Sequence, residues 1–183
     1  MEWLRSAPAR REFERFVADH SVGLLRTVYL ITWSAPESED LLQETWLIAA
    51  QRWPTIGAME FPLAYVRRTL VNLALRESRG AQANASSVDP DVLAHREDER
   101  FEGNLAMIDT RSEITWLLGT LPRNQRAVIV LRYFDDMSEA QIAEELGWPA
   151  GTVKSTAARA LERLRRHAGT TAAPTQNHHR RTS

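Results

Sequence analysis

Lys154, Ser155, Arg159, Arg163 and Arg166 recur at three- and four-residue steps near the C-terminal end of the chain, which puts them on one side of a helix. Lysine and arginine at such positions neutralise phosphates or meet guanine edges, and serine can hydrogen-bond to either. A helix fits the major groove of duplex DNA, so this stripe is a candidate groove-facing surface. Most of its contacts would go to phosphate, which supplies affinity and register more than sequence choice.

Other chemistries find little to work with. The five histidines, His20, His95, His167, His178 and His179, have no spacing that would assemble a metal site with carboxylates on a helix. No glycine loop suits a phosphate cradle and no elbow suits a nucleophilic serine. The chain has no cysteine, which removes disulfides, thiolate metal sites and thiol catalysis together. No catalytic residue, metal ligand or cofactor is therefore expected, and the chain reads as a non-enzyme.

The elements that position the basic stripe follow from apolar spacing. Ser138 and Gln141 form a capping box that starts a helix running through Leu146. Gly147-Trp148-Pro149-Ala150 then makes a turn, and a last helix runs to about Arg166. Two helices joined by a short glycine-containing turn are the helix-turn-helix pattern. Ile142, Ala143 and Leu146 would pack on Val153, Ala157, Ala160, Leu161 and Leu164, leaving the basic residues outside. Upstream, Ile114, Leu117 and Leu118 give a short apolar face. Pro122 suits a first helical position, and Val128 and Leu131 lead to an Asp135-Asp136 turn.

An earlier block reads as three more helices. Phe13, Phe16, Val17, His20, Leu24 and Val28 share one face. A second helix carries Leu42, Thr45, Trp46, Ala49, Ala50 and Trp53 and is expected to end at Trp53-Pro54. Thr55 to Pro62 reads as a loop. A third helix turns Leu63, Val66, Leu70, Leu73 and Ala74 inward. From Gly80 to about Thr110 the periodicity fails and the composition suits a solvated tether. The last residues look disordered. No strand alternation and no internal repeat is present.

Bulk composition is consistent with two small domains. Hydrophobic residues make up 43% of the 183, enough for a core, and 26% are charged. Net charge is −1, so the chain as a whole does not advertise nucleic-acid binding, but its basic residues are clustered rather than spread. The N-terminus lacks the pattern of a secretory signal, and the apolar stretch Val22 to Trp33 contains Arg26 and is too short to span a bilayer. A soluble, cytoplasmic protein with no membrane insertion is expected.

Taken together, two motifs carry a family resemblance. Ser38-Glu39-Asp40-Leu41-Leu42-Gln43-Glu44-Thr45-Trp46 resembles the second region of bacterial extracytoplasmic-function (ECF) sigma factors, the fourth group of the sigma-70 family. Leu121-Pro122 through Tyr133, Ser138 to Leu146 and Gly151-Thr152-Val153-Lys154-Ser155 resemble their fourth region. The resemblance implies an all-α chain of two small helical domains. A region 2 bundle of three to four helices (11–79) and a region 4 helix-turn-helix domain (111–167) would be joined by a flexible linker (80–110), ahead of a disordered tail (168–183).

It also implies partners and sites. Such a factor directs core RNA polymerase to promoter DNA and assists its melting, under the control of an anti-sigma factor. Asp40, Leu41, Gln43, Glu44 and Trp46 match the positions that dock on the clamp helices of the polymerase's largest subunit. An acidic–amide face beside apolar residues suits a basic partner helix, although Leu42 and Trp46 fit a core equally well. The loop before the third helix, and that helix, match the reader of the downstream (−10) element: Phe61, Arg67, Arg68, Asn72, Arg76 and Arg79. Arginine can neutralise single-strand phosphates and asparagine can bond a base edge. Phe61 could stack a base or plug the end of the bundle. Thr152, Lys154, Ser155, Arg159, Arg163 and Arg166 match the reader of the upstream (−35) element.

The sequence departs from the family at two places. Ile56 to Phe61 is apolar and contains an acid where small polar residues are usual, and Thr156, Ala157 and Ala158 replace longer side chains, which implies weaker or altered upstream contacts. Promoter elements two duplex turns apart lie about 70 Å from one another. A tether of about 30 residues reaches at most on the order of 100 Å, so both modules could bind together. The rival reading is a promoter-binding regulator that acts without polymerase. It explains the C-terminal block but leaves the Asp40–Trp46 and Arg68–Arg79 faces without a shared purpose.

Overall fold

A computed structural model of the chain describes Trp3, residues 6–84 and residues 113–171; of residues 77–84, 113 and 169–171 only the backbone is described. The described residues form α1 (Ala7–Thr32), α2 (Ala35–Ile56), α3 (Pro62–Asn84), α4 (Glu113–Gly119), α5 (Arg123–Tyr133), α6 (Glu139–Leu146) and α7 (Ala150–Thr171). Residues 85–112 and 172–183 lie outside the description, and with them most of the expected linker and tail.

The front half is the expected bundle of α1, α2 and α3. Leu24 and Val28 on α1 are buried as their spacing implies, and Phe13 and Phe16 lie against Trp53 of α2 at ring distances of 4.9 and 5.0 Å. Val66, Leu70 and Ala74 of α3 face inward, joined by Val71 and Leu75. Where α1 ends, Trp33 adopts a left-handed backbone at φ 61°, and its N–H donates to the Tyr29 carbonyl. A bulky residue reaches that region only when its surroundings hold it there.

Two helix ends differ from the sequence reading. α2 does not stop at Trp53 but passes through Pro54 to Ile56, so the loop shortens to residues 57–61. A proline inside a helix orphans the carbonyl four residues earlier. Here that carbonyl belongs to Ala50, and the Trp3 indole N–H donates to it at 2.9 Å. α3 likewise continues past Gly80 to Asn84. An interior glycine costs a helix about 1 kcal/mol, but unlike proline it keeps its N–H, so it need not end one.

In the back half the capping box forms as expected. The Gln141 N–H donates to Ser138 Oγ, and the Ser138 N–H to Gln141 Oε1. Gly147 closes α6 at φ 64°, a left-handed position that a glycine fills without strain. Three readings need correction. Pro122 caps α5 from outside rather than opening it. Ile114 of α4 is 65% exposed, and Thr115 and Leu118 are the residues that turn inward. α7 runs five residues past Arg166, to Thr171.

The two halves pack on each other through α5, whose Ala127-Val128-Ile129-Val130-Leu131 run is buried on every side. Helices of a free-standing domain keep a polar face toward water. α5 has none along this run, because α1 and α3 of the front half cover what α6 and α7 leave open.

Candidate nucleic-acid and partner interfaces

The surface built most directly from sequence is that of α7. Val153, Ala157 and Ala160 are buried beneath it, with Ile142 and Leu146 of α6 as counterparts. That pins the helix so that Thr152, Lys154, Ser155, Arg159 and Arg166 are exposed. Ser155 Oγ donates to the Thr152 carbonyl and Arg159 Nε to the Ser155 carbonyl, local bonds that a DNA acceptor could replace. Arg163 departs from the expectation. It is half-buried, with its Nε enclosed and without a hydrogen-bond partner, so only its outer guanidinium end could reach a ligand. Arg165, exposed and three turns along from Lys154, was missed; stepping by whole turns from Lys154 would have found it.

The expected departure at Thr156, Ala157 and Ala158 is mostly internal. Thr156 is 3% exposed and Ala157 6%, so both serve helix packing and only Ala158 faces outward. Small side chains there let α7 sit close to its neighbours, and they say little about upstream contacts.

On α2, Asp40, Gln43 and Glu44 are exposed. Leu41 is 2% exposed, so as a contact residue it is corrected: it supports the helix from beneath. Trp46 is half-buried, edge-on to Phe13 and Phe16 at 6.4 and 6.1 Å. The residue missed is Leu47. It is 60% exposed, one turn on from Gln43 and Glu44, and it sets an apolar side chain beside them.

Around α3 the described residues fall into two groups. Arg68 and Arg76 are exposed and Asn72 half-buried along one face, while the side chain of Arg79 lies outside the description. Arg67 turns the other way, its Nε donating to Glu145 Oε1 of α6 at 2.9 Å. Phe61 is 68% exposed, which answers the question left by the sequence: it does not plug the bundle. It stands instead on the rim of a groove of ≈ 960 Å³ between α1, the start of α3 and α6, lined by His20, Tyr65, Met137 and Gln141 among others.

Charge along the seam between the halves is costly. Burial raises the carboxyls of Asp135 and Glu145, and hydrogen bonds from Thr27 and Arg67 offset part of that cost. Burial, followed by the nearby Arg123, pushes Arg126 down to about 10; its guanidinium lies over the Trp33 ring at 5.6 Å. A carboxyl whose folded pKa is raised contributes stability below its unfolded value, and that contribution is lost as pH rises through the folded value. Asp135→Asn keeps an acceptor oxygen for Thr27 and cannot ionise. Its melting temperature relative to the parent protein should therefore rise between about pH 4 and about pH 7, as followed by circular dichroism at both pH values.

Among the described residues no cluster of histidine and carboxylate side chains could hold a metal ion, and no helix is long and apolar enough to cross a membrane.

Comparison with known proteins agrees with this arrangement. Residues 111–164 match the model for sigma-70, region 4. The chain is 32% identical over 156 residues to the RNA polymerase sigma-E factor of Streptomyces avermitilis, covering 84% of this chain and 83% of that one. It is 33% identical over 148 residues to the ECF RNA polymerase sigma factor SigL of Mycobacterium tuberculosis, covering 80% and 83%. In fold it is similar to the sigma factor RpoE of Bartonella quintana, solved in complex with the anti-sigma factor NepR, with a TM-score of 0.59 at 20% identity, covering 87% of this chain and 98% of that one. It is also similar to CnrH, solved in complex with the cytosolic domain of CnrY, with a TM-score of 0.56 at 20% identity, covering 89% and 91%. With identity at this level over four fifths of the chain, the chain belongs to the ECF sigma factors of RNA polymerase.

Proposed function

We propose that the chain directs core RNA polymerase to specific promoters and assists their melting, as a cytoplasmic, non-catalytic initiation factor. The exposed Asp40, Gln43 and Glu44, centred on Leu47, would dock on the clamp helices of the largest subunit. Phe61, Arg68, Asn72, Arg76 and Arg79, with Arg67 once released from Glu145, would hold the opened strand of the −10 element. Thr152, Lys154, Ser155 and Arg159, with Arg163 and Arg166, would read the −35 duplex. An anti-sigma factor is the corresponding regulator, as RpoE has in its complex. The domain division runs with these roles: 11–79 for polymerase and the −10 element, 111–167 for the −35 element.

The observation that carries the reading is charge segregation on a chain of net charge −1: an acidic–amide face on α2 and basic faces on α3 and α7. Opposite surfaces of this kind suit a protein that must hold a basic protein helix and a polyanion at once.

The test mixes the purified chain with polymerase lacking an initiation subunit and follows assembly and promoter opening. Arg159→Ala should weaken binding of the upstream duplex about tenfold, a loss of roughly 1.4 kcal/mol, with assembly on polymerase unchanged. Loss of both would end the division of labour, and absence of assembly by the parent chain would end the reading.

A further inference from the structure

Phe61 is 68% exposed, so packing does little to fix where its ring stands. Its place is set by the backbone of residues 57–61, which hang between the end of α2 and the start of α3. Both ends are tied down. The Gly57 N–H donates to the Trp53 carbonyl at 2.8 Å and the Met59 N–H to the Ile56 carbonyl at 3.0 Å, while the Phe61 carbonyl receives the Tyr65 N–H at a longer 3.5 Å. Arg52 Nη1 donates to the Tyr65 hydroxyl at 3.2 Å, joining α2 directly to α3.

On the α2 side every one of these ties depends on the turn that contains Pro54. Proline lacks the N–H that would bond the Ala50 carbonyl, and its ring crowds the turn before it. Thr55 and Ile56, beyond the proline, are nonetheless helical. Trp3 supplies the missing donor, its indole N–H meeting the Ala50 carbonyl at 2.9 Å. The Trp3 ring is seated edge-on against Phe13 at 5.5 Å, and Phe13 meets Trp53 at 4.9 Å. Trp53 then reaches the loop itself: a Cβ on Gly57 would lie 3.1 Å from the Trp53 ring, so the chain leaves α2 in close contact with it.

We infer that Trp3 is a positioning residue for the −10 reader: its indole N–H completes the Pro54 turn of α2, which fixes where residues 57–61 depart and so where Phe61 is presented to a base. The inference rests on the reading of Phe61 as part of that reader. An indole nitrogen donates and never accepts, which suits an orphaned carbonyl. The coupling can be no larger than the bond that carries it, and one ordinary hydrogen bond corresponds to about a fivefold change in an equilibrium.

The test uses the full-length chain assembled with core polymerase and reads binding of a labelled, A/T-rich single-stranded oligonucleotide by anisotropy. Phe61→Ala should weaken binding about tenfold, the loss of one base stacked on an aromatic ring. Trp3→Phe keeps a ring for Phe13 and removes the N–H; it should weaken binding about threefold, under the ceiling set by one hydrogen bond. In the Phe61→Ala background the same change should cost nothing further, because the ring it positions is gone. Pro54→Ala returns an N–H to position 54 that can itself bond the Ala50 carbonyl. Added to Trp3→Phe, it should therefore restore the parent's affinity.

Trp3→Phe binding as tightly as the parent overturns the inference. So does a loss that persists without Phe61, which would mean a general loosening of the bundle, or one that Pro54→Ala fails to repair. Each of these leaves the −10 reading standing so long as Phe61→Ala weakens binding. If Phe61→Ala binds like the parent, or if the parent binds no oligonucleotide at all, the −10 reading of Phe61 falls and the inference with it.

Discussion

Replacing Asp40 and Glu44 together by lysine should weaken assembly with core polymerase at least about 100-fold. Both side chains are exposed on α2 beside Leu47, facing away from the bundle. Surface substitutions clear of caps and packing change stability by no more than about 0.5 kcal/mol, so the melting temperature should scarcely move. Facing a basic helix, however, each lysine both removes an attraction and adds a repulsion. Like charges brought together at an interface cost several kcal/mol, and about 2.7 kcal/mol already corresponds to 100-fold. Binding of the upstream duplex, which we assign to α7, should be unaffected. Leu41→Ala provides the contrast: at 2% exposure it should lower stability by about 2–5 kcal/mol. Assembly that survives the double lysine change at full strength would remove α2 from the docking surface.

The second large effect is on stability. Trp53 is 3% exposed, meets the rings of Phe13 and Phe16, and lies so close to the chain leaving α2 that a Cβ on Gly57 would come within 3.1 Å of its ring. Trp53→Ala empties a large volume among residues from two helices and a turn, which cannot all close in. The expected loss is about 3–5 kcal/mol, set against a total of about 5–15 kcal/mol for a typical domain. Denaturation by urea should show the midpoint falling by about a fifth or more. Trp53→Phe, which keeps a ring for its two neighbours to meet, should retain most of the stability. A loss under about 1 kcal/mol for the alanine variant would mean that α1 and α2 are held together elsewhere.

Much of this architecture is legible in local patterns, because local patterns have local causes. The Ser138–Gln141 capping box and the spacing of Val153, Ala157 and Ala160 are decided within a few residues, and α6 and α7 follow them. What escaped depends on contacts distant in sequence. Pro54 reads as a stop until Trp3 supplies a donor to Ala50 from 47 positions away. Leu41 belongs to a docking motif by its neighbours and to the core by its angle around α2. Arg67 reads as one more cation on a basic helix until Glu145 is brought to it across a separation of 78 residues. One trace of the packing between halves was present all along. The unbroken apolar run Ala127–Leu131 is more than a single-faced helix needs, and only a second covering layer accounts for it.

The buried Thr156 and Ala157 have a consequence for how such factors diversify. The inward side of α7 is settled by close packing, while Thr152, Ser155, Ala158 and Arg159 point to solvent and bear almost none of it. If α7 reads DNA as proposed, a lineage could exchange those outward residues one at a time, trying new promoter preferences, without ever passing through a chain that fails to fold. Duplicated copies would then drift apart in the genes they switch on while remaining alike in build.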